Sequence, residues 1–191
     1  MCVYCMPEFE QLLKEKLRYQ KGTIGVQVDE VQMPSGKIEE RIWIDFPSVC
    51  VIVPFITTEE ILLVKQYRHA IKSLTFELPA GKIDPNELVA EAARRELIEE
   101  TGHQAIVKSV YKLVPSPHYS NEVLWVCIAT ELDPLKVVID SDEIREIKRI
   151  PLTLALEMID NGAIIDGKSI TALLYLKHAS YINELKLIKT P

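Results

Sequence analysis

Residues 81–103 read GKIDPNELVAEAARRELIEETGH, and this stretch predicts a helix with a signal at each end. Asp84 can cap the start of the helix, and Glu87 stands where a capping-box acid reaches back to the cap. Gly102 suits the left-handed position that ends many helices. Because the residues between these signals are mostly Ala, Leu, Glu and Arg, we expect a helix over residues 88–101.

The predicted helix has three carboxylates on one side. At about 100° per residue, Glu96, Glu99 and Glu100 fall within an arc of roughly 100°. Like charges at this spacing repel, and burial against a sheet would cost much more. A hard divalent cation would offset the repulsion, so Mg²⁺ is the expected cofactor, with Mn²⁺ as the alternative. The competing interpretation is a solvated helix face with salt bridges, in which Arg95 lies one turn before Glu99.

The spacing of glycines and charged residues in this stretch resembles the signature of the Nudix hydrolases. The glycine, glutamate and arginine positions of that signature all match, at Gly81, Glu87, Arg95, Glu96, Glu99, Glu100 and Gly102. The departure is His103, where the family has an aliphatic residue. The resemblance implies a loop, helix and loop beside a β-sheet, with the acids at a metal site.

The composition is that of an ordinary globular protein. The 191 residues are 48% hydrophobic and 26% charged, which suits one domain, or one domain with an appendage. The net charge of −6 argues against nucleic acid as the main partner. The longest apolar run, residues 49–56, is short and broken by Pro54, so no membrane span is predicted.

The cysteines and the N-terminal residues bear on location. Cys2 and Cys5 form a CxxC pair, but no second pair follows to complete a zinc site. Cys50 and Cys127 stand alone in apolar segments. No positively charged segment followed by an apolar run marks a secretory signal, so we expect a reducing cytoplasm.

The first quarter of the chain predicts an extension ahead of the main domain. Residues 7–16 suggest a short charged helix or a frayed end. Residues 23–31 and 37–46 alternate between polar and apolar side chains and predict an antiparallel β-hairpin. We therefore predict an N-terminal extension at 1–46, which packs either on the domain's own sheet or, as a dimerisation element, on a second copy of the chain, and a Nudix hydrolase domain at 47–191. Family resemblance implies a homodimer in which the hairpins are exchanged and help to form the adenine pocket.

The remaining pattern predicts a mixed fold. Apolar segments predict strands at residues 49–55, 61–67, 75–78, 105–114, 123–130 and 144–150, and helices at 152–161 and 169–185. The strand at 123–130 is nearly all apolar and is expected to be central. Strands and helices in this order predict an α/β (α+β) fold with a mixed β-sheet sandwiched between helices. The Nudix resemblance implies the same architecture.

Three short stretches outside the helix resemble the ADP-ribose pyrophosphatase branch of the family. They are QYR at 66–68, ELPAGKID at 77–84 and PSP at 115–117. In that branch a proline beyond the signature marks ADP-ribose specificity, and Pro117 is the best match. His118 follows it where the family usually has Gly.

The resemblance also implies roles for single residues. The Ala80 carbonyl, Glu96 and Glu100 would be metal ligands, and Glu99 would be a ligand directly or through water. The resemblance implies substrate contacts for Arg68, which matches a phosphate-binding arginine, for Glu77 on the strand that leads to the site, and for Pro117. A surface ion pair is the other interpretation of Arg68.

The proton acceptor is left open between two places. Glu99 could act from the helix, where Arg95 could orient it. The acid-rich loop at residues 140–143 is the other source, because Glu143 aligns with a loop glutamate of the family. A solvated turn is the competing interpretation of that loop.

Together these features predict Mg²⁺-dependent hydrolysis of ADP-ribose, or a related nucleoside diphosphate sugar, to AMP and ribose 5-phosphate. The alternatives are hydrolysis of another nucleoside diphosphate derivative such as GDP-mannose, and a non-catalytic ADP-ribose sensor. The motif of the NADH-cleaving branch is not found. A purely structural role would not explain why three mutually repelling carboxylates lie on one side of the helix.

Overall fold

The structure, a computed structural model, describes residues 8–136, 139 and 143–178. Its described residues belong to two compact units. The first comprises Met1–Pro47 with Val114–Val123, and the second comprises Ser48–Leu113 with Leu124–Pro191. Cys2, Cys5 and the loop at 140–142 lie outside the described residues. In the described part of the chain, no helix has the length and apolar character that crossing a membrane requires.

The first unit contains a three-stranded antiparallel sheet. Its strands are β1 (Gln11–Lys21), β2 (Ile24–Gln32) and β3 (Ile38–Asp45), and they lie in that order. The hairpin predicted from the alternating pattern is confirmed as β2 and β3. The helix suggested at residues 7–16 is wrong, because β1 occupies the described part of that segment from Gln11 onward. Lys16 shows one reason, since it bonds across the sheet to Glu40 on β3 at 2.6 Å.

The segment 114–123 belongs to this first unit although it lies far along the chain. The Ile44 N–H donates to the Tyr119 carbonyl at 2.7 Å, and the Phe46 N–H donates to the Asn121 side chain at 2.8 Å. The domain boundary at residue 46 and the dimerisation role of the extension stay predictions.

The second unit contains two sheets and the described helices. The first sheet has the order β7-β4-β9-β8 and the second has the order β10-β5-β6. The strands are β4 (Val49–Pro54), β5 (Glu60–Arg68), β6 (Ser73–Glu77), β7 (Ala80–Lys82), β8 (His103–Leu113), β9 (Leu124–Pro134) and β10 (Ile144–Pro151). The helices are α1 (Val89–Thr101), α2 (Leu152–Asp160) and α3 (Gly167–His178). Strands β4 and β9 are parallel and the other pairs are antiparallel, so the predicted mixed α+β fold is confirmed.

The core of this unit explains the order of its strands. Every residue of β4 is buried, and β9 lies between β4 and β8, as its apolar sequence predicted. Helix α1 packs Ala92, Ala93 and Leu97 into a buried cluster with Cys50 and Cys127. The two alanines let the helix backbone approach the sheet closely, so α1 is held firmly beside β4.

The ends of α1 follow the sequence signals only in part. Gly102 has φ 70° and its N–H donates to the Ile98 carbonyl, so the predicted end is confirmed. The predicted cap at Asp84 is wrong, because Leu88 precedes the helix without a side-chain cap. Glu87 does accept from the Asp84 N–H at 3.0 Å, but that contact closes a separate turn ahead of the helix.

Candidate active site

Residues 77–81, which we call the crossover segment, connect the two sheets of the second unit. Strand β6 ends at Glu77 and strand β7 begins at Ala80. The Pro79 carbonyl accepts from the Ile52 N–H at 2.8 Å, and Ala80 pairs with Val51. The segment is therefore fixed against the buried strand β4 where it passes from one sheet to the other.

Two acids of α1 lie against this segment. Glu100 Oε2 accepts from the Ala80 N–H at 3.3 Å. A Cβ atom on Gly81 would lie only 1.8 Å from Cδ of Glu96, so the Glu96 carboxyl fills the space that a side chain would need. The glycine at the start of the signature is thus explained by close approach of this carboxyl to the backbone.

Burial and charge repulsion set the protonation of these two acids. Burial, followed by the charge of Glu96, raises the pKa of Glu100 to about 8. Burial also raises the pKa of Glu96, although the Arg95 guanidinium opposes this shift. A bound cation would favour the ionised form of both groups, so the pair fits a metal-binding role.

The donor atoms suit a hard divalent cation. Glu96 and Glu100 offer carboxylate oxygens, and the Ala80 carbonyl belongs to the adjoining backbone. Across residues 8–136, 139 and 143–178, no group of three or more His, Cys, Asp or Glu side chains is arranged to hold a metal ion. Because Mg²⁺ usually takes one or two carboxylates and completes its shell with water and substrate phosphate, two acids and a carbonyl fit that ion.

Arg95 is the common partner of the signature acids. Its Nε and Nη2 atoms each bond to Glu87 at 3.0 Å, and Nη2 also donates to the Lys82 carbonyl at 2.9 Å. Its Nη1 atom lies 2.7 Å from Glu96 and 3.4 Å from Glu99. The predicted contact with Glu99 is present but loose, and Arg95 holds Glu96 more closely.

Arg68 and Glu77 form a second, separate ion pair. The two bonds are 2.7 Å from Nε to Oε1 and 2.6 Å from Nη2 to Oε2. Glu77 is 1% exposed and also accepts from Thr75 Oγ1 at 2.5 Å, whereas the Arg68 side chain remains 35% exposed. The Glu77 bond is the main reason that the pKa of Arg68 is raised, and the charge of Glu100 contributes. Glu77 therefore orients Arg68, and Arg68 is the more accessible of the two.

The remaining predicted residues lie in different surroundings. Glu99 has a 57% exposed side chain on α1. Glu143 is exposed and directly precedes β10, whose Ile144 pairs with Gln66. Pro117 belongs to the first unit, together with His118. His103, the departure from the signature, begins β8, and its Nδ1 donates to the Thr101 carbonyl at 2.7 Å.

Sequence reasoning missed two features near Arg68. Gln66 is 1% exposed, and in the described part of the chain its Nε2 is the buried side-chain nitrogen without a hydrogen-bond partner. Alternation along β5 places Gln66 on the same side as Arg68.

Asp166 and Ser169 were missed because the predicted helix began at Ser169, whereas α3 begins at Gly167. The Asp166-to-Ser169 spacing is a capping pattern that could have revealed this start.

Known proteins are similar to this chain over most of its length. The ADP-ribose pyrophosphatase of Bacillus subtilis (strain 168) is 31% identical over 175 residues, which are 89% of this chain and 93% of that protein. The GDP-mannose pyrophosphatase of Salmonella paratyphi B is 34% identical over 131 residues, which are 63% of this chain and 68% of that protein.

Structural comparison and a family model agree with these relatives. The crystal structure of an ADP compounds hydrolase has a TM-score of 0.80 and 23% identity, covering 95% of this chain and 97% of that one, and shows the same fold. Nudix hydrolases generally need a divalent metal such as Mg²⁺. A model of the NUDIX domain matches residues 46–173, which is most of the chain, and so this protein belongs to the NUDIX domain family.

Proposed function

We propose that this protein hydrolyses the pyrophosphate bond of ADP-ribose to AMP and ribose 5-phosphate, or the equivalent bond of a related nucleoside diphosphate sugar to the corresponding nucleoside monophosphate and sugar phosphate. The observation that supports this most strongly is the pair Glu96 and Glu100, held against Gly81 and Ala80. Two half-buried carboxylates with raised pKa values are costly to keep in a fold unless they bind a cation.

Glu96, Glu100 and the Ala80 carbonyl would hold Mg²⁺, with Mn²⁺ as the alternative. When bound, the cation would neutralise phosphate oxygens and lower the pKa of a bound water. Arg95 would keep Glu96 in place through their 2.7 Å bond. Glu99, being more exposed, would join the metal site directly or through water.

Arg68 would contact a phosphate group of the substrate. Its planar guanidinium suits phosphate oxygens, and its position is set by two bonds to a buried carboxylate rather than by solvent. A rigidly held arginine loses little conformational entropy when substrate binds. We assign Glu77 the task of orienting Arg68, and Pro117 stays a predicted substrate contact.

Two glutamates are candidates for the proton acceptor. Glu99 is exposed on α1 near the metal-binding pair. Glu143 is exposed at the start of β10, which pairs with the strand that carries Arg68. Both are exposed carboxylates, a group that can take a proton from an attacking water.

The preferred substrate is ADP-ribose. The Bacillus subtilis relative, named for that substrate, aligns with 89% of this chain, whereas the GDP-mannose pyrophosphatase aligns with 63%. GDP-mannose is therefore the second candidate, and a non-catalytic ADP-ribose sensor is the third. The test incubates the protein with ADP-ribose or GDP-mannose, with and without Mg²⁺, and identifies the products by chromatography. The products show which of the three candidate functions is correct. Absence of AMP from ADP-ribose and of GMP from GDP-mannose would refute the hydrolase.

We also propose a homodimer formed through the first unit. Large apolar side chains are exposed on its sheet, including Leu12 at 58%, Leu17 at 59% and Ile42 at 65%. Apolar side chains grouped on one small sheet favour a protein contact. A cytoplasmic location stays a prediction from the sequence.

A further inference from the structure

The first turn of α3 is hydrogen-bonded to the crossover segment. Asp166 Oδ2 accepts from the Ser169 N–H at 2.9 Å and from the Ser169 hydroxyl at 2.7 Å. The Ser169 Oγ in turn accepts from the Leu78 N–H at 2.8 Å. A continuous chain of bonds therefore runs from the Asp166 carboxylate to the backbone of residue 78.

The Ser169 hydroxyl is completely enclosed by protein. Ser169 and Leu78 are each 0% exposed, so neither contacts solvent or substrate. Serine within a helix commonly turns its hydroxyl toward its own helix backbone. Here the hydroxyl bonds outside α3, to a residue 91 positions earlier in the chain. A buried N–H is costly to leave unpaired, so this bond fixes the local backbone.

Leu78 lies between the two halves of the site. The residue before it is Glu77, which holds Arg68. Two residues after it is Ala80, whose N–H bonds to Glu100. Leu78 and Pro79 are the link between β6 of one sheet and β7 of the other. A displacement of the Leu78 N–H would therefore change the distance between Arg68 and the acid pair.

The charge of Asp166 strengthens the bond chain. Burial alone would raise the pKa of Asp166, but the Lys168 charge and the hydrogen bonds from Ser169 outweigh burial and lower it. The carboxylate is therefore ionised at neutral pH and accepts charge-assisted bonds. Its charge also favours the cationic form of Arg68, although less than Glu77 does.

We propose that Ser169, oriented by Asp166, is a positioning residue that holds the crossover segment so that Arg68 and the Ala80–Glu100 contact stand at the separation that the reaction needs. This inference rests on the proposed hydrolysis. Ser169 acts only through Leu78, because its burial excludes contact with substrate.

The test compares Ser169→Ala with a matched control on the same helix. Ser169→Ala removes the hydroxyl and leaves the Leu78 N–H unpaired. Ala172→Gly changes another fully buried residue of α3 and lowers stability without a direct bond to the crossover segment. Melting temperature, kcat on ADP-ribose and Mn²⁺ binding by electron paramagnetic resonance are measured for both variants and for the wild-type chain.

Ser169→Ala is expected to lower kcat and to weaken Mn²⁺ binding, each by about 10-fold, as loss of a ligand-orienting partner usually does. Ala172→Gly is expected to lower the melting temperature but to keep kcat and Mn²⁺ affinity within about 2-fold of wild type, because it leaves the bond between Leu78 and Ser169 in place. Asp166→Ala combined with Ser169→Ala should lose less than the product of the two single losses, since the two residues share one chain of bonds.

The inference would be overturned if Ser169→Ala kept the kcat and the Mn²⁺ affinity of the wild-type chain. It would also be overturned if Ala172→Gly lost as much kcat and Mn²⁺ affinity as Ser169→Ala. If the wild-type chain hydrolyses no nucleoside diphosphate sugar, the proposed function fails and the Mn²⁺ titrations alone decide the role of Ser169. A wild-type chain that binds no Mn²⁺ overturns both.

Discussion

Replacing Gly81 with alanine should separate activity from stability. The new Cβ would lie 1.8 Å from Cδ and 2.1 Å from each carboxylate oxygen of Glu96. Because carbon atoms in contact are about 3.5 Å apart, the carboxyl must move by roughly 1.7 Å. The flexible side chain of Glu96 will move rather than the backbone, so this predicted metal ligand leaves its position beside Gly81.

The expected loss of activity is large. Misplacement of a reacting group by about 1 Å can lower the rate about 100-fold. Glu96 is predicted to bind the metal directly, so a shift of this size should remove most of the contribution that its carboxylate makes to metal binding. We therefore expect Gly81→Ala to retain about 1% of wild-type kcat.

The expected loss of stability is small. Gly81 is not among the residues with positive φ, so alanine is allowed there and restricts the unfolded chain, a gain of about 0.4–1 kcal/mol. Against this, Glu96 loses its bond to Arg95, about 1.5–3 kcal/mol for a charged bond in a dry site. The Arg95 side chain is 32% exposed, so solvent screens this ion pair and the lost energy is smaller. The displaced Glu96 carboxylate also recovers hydration, which offsets part of the loss. The net change should be about 1 kcal/mol.

The assay combines urea unfolding with ADP-ribose hydrolysis. Gly167→Ala is the matched control, because a Cβ at Gly167 meets nothing within 4 Å and that backbone is not in the left-handed region. The control should keep its activity. Wild-type activity in Gly81→Ala, or a loss of activity that merely follows a loss of several kcal/mol in stability, would refute the account of Glu96.

Three further tests concern the acids and the arginine. The raised pKa of Glu100 predicts that, with metal chelated by EDTA, its contribution to folding stability falls as the pH rises from its unfolded pKa toward about 8. Glu100→Gln should remove this fall in pH-dependent urea unfolding and abolish hydrolysis; an unchanged pH profile would show that Glu100 is not buried in this way. Arg68→Lys loses the two-bond contact with Glu77 and should lower kcat/KM about 10- to 100-fold, the equivalent of one charged hydrogen bond; a change confined below 2-fold would exclude a phosphate contact. Of Glu99→Gln and Glu143→Gln, the variant that removes the proton acceptor should lose about 10²- to 10⁴-fold in kcat and lose the acidic limb of the pH–rate profile. Retention of that limb in both variants would exclude both glutamates.

The sequence predicted those features that local spacing determines. The turn at Gly102, the placement of Glu96 and Glu100 on one side of α1 and the central position of β9 all follow from residues within a few positions of one another. The approach of Glu96 to Gly81 could not be derived from helix spacing alone. It depends on the crossover segment pairing with β4, which is a contact between distant parts of the chain.

Each error has a physical cause. Residues 11–16 contain Lys, Glu and Leu, which favour a helix, yet pairing with β2 and the bond from Lys16 to Glu40 favour a strand. The acid at residue 87 has the capping-box spacing from Asp84, but it closes a local turn and bonds to Arg95 instead. In the first place contacts with distant residues outweigh a short-range preference, and in the second a local turn and an arginine eight residues away take up the acid.

The bond that the Leu78 N–H donates to Ser169 could not be predicted from the sequence, because it too joins distant residues. Its partners are 91 residues apart, and no local pattern marks Leu78 as a backbone donor that needs a side-chain acceptor. The unpaired Nε2 of Gln66 is also a result of packing, since glutamine in a strand usually faces solvent.

The central claim is that Glu96 and Glu100 bind a divalent cation together with the Ala80 carbonyl. The most direct measurement is a crystal structure with Mn²⁺ and an uncleavable ADP-ribose analogue, with the metal located by its anomalous scattering. The account predicts an anomalous peak about 2.0–2.3 Å from a carboxylate oxygen of each glutamate. A map with the analogue bound but no peak at these two residues would contradict it.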